Sequence, residues 1–482
     1  MEVLQRTANR GSISTGYDID NSLKLERANS ENIYRQIING NRKTWTTSLW
    51  IKRTNVSASA YQMFINHGIY GNGTYLRFLT DDTLQTGLEH SGGIVNQTTS
   101  QVFRDTSAWM HIVWRVDTTQ ATGSDRSRLY INGEQVTSFS LDQTITQNTD
   151  TFCNYDHSGY DDEQLGYKEA SLFTSMYYAD IYHVDGQSLA PTEFGEVDSA
   201  SGIWKPIEAD ISSFGNNGYY LNFSNSSNLG EDTAGNGSFT LSNITSADQA
   251  VDTPTNNFAL LSIAMHDSYE LSYSTISEGG TKFRVTTASK WVTAVSSIGV
   301  TKGKWYAEFV VSGARPNNWW GIASMEQLNN NSGYSNAGSH LGESGKNWSI
   351  GYYQANGKLD KQQNSGYTST SGWGAGVGQN QIVSVALDMD NHKLYMAVNN
   401  TYQDSGNPVT GANAITFDDT ETVAIANTGY SLGGGNDTIT VANFGGYKSG
   451  GMYSEATDEN GYGGFRYAPP TGYYALCTKN LA

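Results

Sequence analysis

The sequence is short of cysteine, proline, basic residues and long apolar runs, and each shortage closes a class of function. Its two cysteines, Cys153 and Cys477, stand far apart in 482 residues. They form neither a disulfide framework nor a metal-binding spacing, so they read as two isolated thiols. Only 7 prolines and a charged fraction of 16%, set against 12% aromatics, are the reverse of a disordered composition. Lys and Arg number 29 against 47 acidic residues, for a net charge of −18. No basic run exceeds a pair. A polyanion binder needs clustered cations to neutralise phosphates, so nucleic acid and anionic membrane surfaces are excluded as expected partners. No stretch approaches the ~18 apolar residues of a membrane-spanning helix, so no membrane insertion is expected. The opening MEVLQRTANRGSIS has no apolar core of the kind a secretory leader needs, so none is expected. The 8 histidines are scattered, with no HxH or HxxxH spacing that suggests zinc. There is no GxSxG motif. The glycine-rich GWGAGVGQ at 372–379 lacks the strand and helix that would make it a phosphate cradle.

What the chain has instead is 30 Tyr, 11 Trp and 52 Gly, with abundant Thr, Val, Asn and Ser. Such residues build short strands and tight turns. Several N-x-S/T sequons occur, at Asn55, Asn72 and Asn96 among others, as chance supplies in so Asn- and Ser-rich a chain. Length alone allows about three domains of ~100–200 residues. Two segments share one grammar. WMHIVWRVDTTQATGSDRSRLYINGEQV (109–136) and QIVSVALDMDNHKLYMAVNNTY (381–402) each give an alternating strand ending in Asp. A polar turn and a second strand opening with Leu-Tyr follow. In the first, Ile112, Trp114 and Val116 share a face; in the second, Val383, Val385 and Leu387 do. Their separation predicts two sheet-on-sheet domains.

The expected fold class is therefore all-β, with two antiparallel, jelly-roll-like β-sandwiches. Residues 1–17 are read as an N-terminal docking arm or a frayed end. Residues 18–193 form the first sandwich, with TWTTSLWIKR (44–53) alternating at Trp45, Thr47, Leu49 and Ile51 and SMYYADIYHVDGQSLAPTEFG (175–195) as its closing strand and exit turn. Residues 194–270, rich in Asn, Ser and Gly, are expected to be a connector. Residues 271–446 form the second sandwich. Residues 447–482, ending FRYAPPTGYYALCTKNLA, are too aromatic to stay solvated and are expected to pack, on the second sandwich or on a neighbouring protein. No amphipathic helix of three turns is expected.

Three sets of motifs carry a resemblance. NSLKLERANSENI, TSLWIKR, WMHIVWRVD with RLYINGEQV, and ADIYHVDGQSL resemble the concanavalin A-like laminin G and pentraxin lectin fold. GKWYAEFVVSG, WWGIAS, WSIGYY and VSVALDMDNHKLYMAVNN resemble a SPRY domain. The linked order of TGYDIDNSL, VFRDTSAWMHIVWRVDTTQAT, DGQSLAPTEFGE, GIWKPIE, SADQAVDTPTNNFALLS and NGYGGFRYAPPTGYYALCTKNL resembles a family of virion proteins from marine tailed phages, such as those of cyanobacteria. The resemblance implies a structural virion protein on the tail or capsid exterior, a tail fibre or appendage. It implies contact with other virion proteins, homo-oligomerisation because appendages repeat, and contact with host cell-surface polysaccharide. A purely architectural decoration or assembly protein is the alternative.

The candidate chemistry is sparse. Glucan hydrolases on the concanavalin A-like fold need carboxylates alternating on one strand. The nearest set, Glu193, Glu196 and Asp198, lies in a turn and does not complete the E-x-D-x-(x)-E pattern, so no enzyme is expected. No cofactor is expected, with calcium the one possibility. Asp156, Asp161 and Asp162, followed by Glu163, could supply its oxygens, or could form a solvated acidic loop. Sugar sites use aromatic faces with nearby polar groups. The candidate carbohydrate-binding residues are Trp319, Trp320, Tyr334, Trp348, Tyr353 and Trp373, with Tyr352 and Tyr367 beside them; some of these must be core. The SPRY resemblance places binding loops near 314–320, 329–347 and 363–378.

Overall fold

The computed structural model describes residues 16–56, 60–67, 73–156, 162–167, 172–199, 201–262, 273–312, 317–328, 339–418, 422–433, 438–447 and 456–481. Strands dominate, and the longest helices among these residues have four residues, Met325–Leu328 and Thr478–Leu481. The chain divides into two compact units, with the division between Asn257 and Phe258.

The first unit is two eight-stranded sheets and a small hairpin. Its expected strands form for the expected reason. Thr44–Arg53 sends Trp45, Leu49 and Ile51 inward. It pairs antiparallel with Met110–Asp117 on one side and Met176–Asp185 on the other. Met110–Asp117 then folds back on Ser127–Ile131. Asn132 and Gly133, both at positive φ, make the tight turn to Glu134–Gln135. The opposite sheet carries Gln62–His67, Thr74–Phe78, Thr83–His90 and Asp162–Leu165.

The connector expected over 194–270 is not a connector. Tyr219–Leu221 pairs with Met176–Asp185, Thr240–Ser242 with Asn32–Gln36, and Gln249–Ala250 with Ser22–Leu25. Tyr219, Leu221, Phe223, Leu229 and Phe239 lie in the first core. Met176–Asp185 is consequently a central strand and not a closing one. The segment is also held by charge. Lys52, fully buried, reaches Asp252 at 2.7 Å and Asn257 at 2.6 Å, and Lys24 reaches Asp248 at 3.2 Å. Burial pulls the Lys52 ammonium down, and Asp252 pulls it back up.

The second unit pairs a seven-stranded sheet with a nine-stranded one. It begins at Phe258, twelve or more residues before the expected start, because Leu261–Ser262 already pairs with Lys290–Ser296. The hairpin Ile382–Asp388 with Lys393–Val398 stands next to Lys304–Val311. The C-terminal segment packs on this same sandwich. Tyr474–Ala475 adds a parallel strand beside Trp305 and Tyr306, and Phe465, Tyr473 and Leu476 are buried. Phe258 bridges Cys477, and the Ala259 amide donates to the Leu476 carbonyl at 2.9 Å. Glu308, buried in Lys304–Val311, accepts the backbone N–H groups of Arg466 and Tyr467, each at 2.8 Å. Residues 1–15 of the expected arm lie outside the described residues.

Asp252→Ala leaves Lys52 buried without that carboxylate, and is expected to cost the first unit about 3–5 kcal/mol in urea unfolding. Asp150→Ala, which removes a surface pair with Lys43, should cost no more than about 1 kcal/mol. Burial pushes the Glu308 carboxyl up to about 7, against the opposing pull of its backbone donors. The folded state therefore holds this proton more tightly than the unfolded chain does. The stabilisation is fully present below about pH 4.5 and lost as pH rises through 7. Glu308→Gln should flatten that part of the stability–pH curve of the second unit; an unchanged slope would refute the assignment.

Candidate functional site

The strand Asn318–Ser324, NWWGIAS, crosses the middle of the seven-stranded sheet between Val423–Ser431 and Ser349–Tyr353. Its two tryptophans part company because consecutive side chains take opposite faces. Trp320 joins the core between the sheets, with Ile322. Trp319 goes to the other face of the sheet, with Ala323, Ala424, Ala426 and Val295.

There Trp319 is the middle of an aromatic array. His340 stacks on it with ring centroids 4.0 Å apart and planes 2° from parallel. Tyr353, its cross-strand neighbour, stacks at 4.5 Å and 18°. Trp291 meets His340 edge-on at 5.5 Å and Tyr430, its own cross-strand neighbour, at 4.5 Å. Trp319 is buried by this company, while Trp291, His340, Tyr353 and Tyr430 are half-buried and present ring surface outward. Small neighbours make room: Gly321 and Ala426 face each other across the strands.

Polar groups rim the array. The Tyr353 hydroxyl donates to Asn317 Oδ1 at 3.1 Å. Lys358 Nζ lies 5.7 Å from the Trp319 ring and 2.8 Å from Asp360 Oδ2. That carboxylate and burial act oppositely on the Lys358 ammonium, and the net shift is upward. His340 Nδ1 lies 3.0 Å from the Leu341 carbonyl. A carbonyl can only accept, so Nδ1 carries a proton at this contact. Apolar ring faces with amide, ammonium and imidazole groups around them are the equipment for holding a polar molecule that has one apolar face.

Of the residues singled out in sequence, Trp319 and Tyr353 are brought together here. Trp320 and Trp348 are not: both are core residues, Trp320 turned inward by its strand and Trp348 in the bend that leads into Ser349–Tyr353. Trp373 is half-buried and packs edge-on to Tyr352 at 5.6 Å, on the side of the strand opposite Tyr353. Tyr367 is 41% exposed on the edge strand Gly366–Thr370. Tyr334 lies outside the described residues. Trp291, His340 and Tyr430 were missed. Alternation in KWVTAVS could have paired Trp291 with Trp319 as outward residues; nothing local marks His340.

The acidic loop divides. Asp156 is exposed and its amide is bonded to Asn39, Asp161 lies outside the described residues, and so does the side chain of Asp162. Glu163 turns inward to Arg35 and His67 and is not available to that loop. Of the carboxylates weighed for hydrolysis, Glu196 and Asp198 both face Lys205, at 3.2 and 3.7 Å, in the hairpin of Gly195–Val197 with Trp204–Pro206.

Residues 27–166 match the family model of the concanavalin A-like lectin/glucanases superfamily. No curated protein matches the chain. Among solved structures, the chain is similar to the SPRY domain of human HERC1, at 13% identity over 35% of this chain and 91% of that one, with a TM-score of 0.26. It is similar to domains LG4-5 of the mouse laminin α1 chain, at 10% identity over 86% and 84%, with a TM-score of 0.29. A proposed carbohydrate-binding protein of Bacteroides ovatus is matched at 16% identity over 47% of this chain and 59% of that one, with a TM-score of 0.34.

Proposed function

We propose that this protein binds glycans without turning them over, and that it does so as an exposed tail or capsid component of a tailed-phage virion. The aromatic array on the outer face of the second unit carries the reading. Four half-buried rings around Trp319, rimmed by Asn317, Lys358 and His340, match what a sugar ring asks of a protein: a flat apolar face and hydrogen-bonding groups at its edge. The lectin-superfamily match over 27–166 supports a second carbohydrate-binding module in the same chain. The virion assignment is supported by the ordered motif set from TGYDIDNSL to NGYGGFRYAPPTGYYALCTKNL. Glu196 and Asp198 turned to Lys205 favour a binding role over hydrolysis. On this reading the natural unit is a homo-oligomer docked on other virion proteins, and its ligand is host-surface polysaccharide.

The test is binding of the fluorescently labelled full chain to candidate host bacteria. Saturable binding that disappears when surface polysaccharide is stripped is expected. Tyr353→Ala and Trp291→Ala should each weaken it about tenfold, equivalent to about 1.4 kcal/mol. No binding by folded, correctly assembled protein would overturn the reading in favour of a purely architectural virion component. Release of reducing sugar would overturn its non-catalytic part.

A further inference from the structure

The interior of the first unit holds a cluster that sequence spacing hides. His67, Cys153 and His183 come from three distant segments, and one donor atom of each lies within 4.8 Å of the others. All three are buried. His67 ends the strand Gln62–His67 of one sheet, and His183 sits in Met176–Asp185 of the facing sheet. Cys153 follows Thr151, which bridges His90.

The surroundings are those of a ligand set. His67 Nδ1 lies 3.0 Å from Glu163 Oε1, and Arg35 fixes that carboxylate from its other oxygen at 3.3 Å. This orients the ring and leaves Nε2 as the atom presented inward. That Nε2 is buried with no hydrogen-bond partner. An unsatisfied polar atom in such a place is destabilising, and a cation would satisfy it. A histidine whose one nitrogen faces a carboxylate while the other is free is the arrangement that supports a metal-bound imidazole. His183 is held by Thr47 Oγ1 at Nδ1, 2.9 Å away, and by Asn154 Oδ1 at Nε2, 3.0 Å away. The Asn154 oxygen can only accept, so His183 Nε2 carries the ring proton here and would pass it to Nδ1, facing Thr47 Oγ1, before Nε2 could ligate; Asn154 Oδ1 then stands beside the cluster as a fourth, oxygen donor. The rings of Trp45 and Tyr219 flank the two histidines.

We propose that His67, Cys153 and His183 form a structural site for a divalent zinc-class ion that clamps the two sheets of the first unit. One thiolate and two imidazoles suit a borderline-soft ion and not calcium. Tetrahedral zinc holds such donors roughly 3.3–3.7 Å apart, so the side chains draw in by about 1 Å on binding. As the sulfur–metal bond forms, the Cys153 S–H proton leaves to solvent and no electron is transferred. The burial of every ligand makes this a closed site.

The experiment uses the untagged full chain, stripped with a chelator and then titrated with zinc or cobalt(II). Expected are one equivalent of zinc bound with release of protons, a raised melting temperature, and an intense near-ultraviolet thiolate-to-cobalt band. Cys153→Ser should abolish that band, Glu163→Gln should weaken affinity about 10–100-fold, and Cys477→Ser should leave the band in place. If Cys153→Ser fails to fold, the wild-type spectrum still decides, because only a cysteine ligand gives the thiolate band. Folded wild-type protein that binds less than one equivalent, or binds cobalt without a thiolate band, would overturn the proposal. Neither outcome bears on glycan binding.

Discussion

A strand can send only every second side chain toward a core, and that alternation is the constraint on which both units depend. It decides that Trp319 and Trp320, adjacent and chemically identical, serve different ends. One fills the space between two sheets, and the other anchors an array on the outside. The same rule places Trp45 and Thr47 together on the inner face of Thr44–Arg53, which is why a threonine hydroxyl reaches His183 deep in the first unit. A one-residue slip in either strand would exchange core for surface along its whole length.

The two long hairpins were legible because each carries three or more apolar residues in strict alternation, bounded by Asp and Asn turns. The strands at 219–221, 240–242 and 249–250 were not. Two or three residues give too few periods to register a pattern, and the Asn, Ser and Gly between them read as a linker. Lys24, Lys52, Arg35 and Glu163 are all buried, and nothing local in the sequence marks them as such. Sequence reading takes charge as a mark of the surface, whereas here tertiary pairing neutralises it inside. Two of the five rings of the aromatic array, Trp319 and Tyr353, were legible as Trp and Tyr near expected loops. Trp291 and Tyr430 required knowing which strands lie side by side, and His340 required knowing what covers Trp319.

The two units solve burial differently. In the second, the lysines that pair with buried Asp388 and Asp360, Lys304 and Lys358, stay partly exposed. The first carries ion pairs of Lys24 with Asp248, Lys52 with Asp252, Arg35 with Glu163, and Arg53 with Asp82. Such pairs contribute little net stability once desolvation is counted, but breaking one is costly. Two of them tie the segment around 248–252 to the strands at 22–25 and 44–53. An apolar strip could dock there in several registers, whereas ammonium and carboxylate groups this deep tolerate one.

The bridge between Phe258 and Cys477 joins the two extremities of the second unit in antiparallel fashion. Tension applied at those extremities loads the bonds around this bridge one after another, from the end inward, and does not shear them together. Peeling of this kind yields at low force. The final segment would lift from Trp305 and Tyr306 before the sheets behind it felt the load, so under mechanical strain it behaves as a fuse that spares the outward-facing aromatic array.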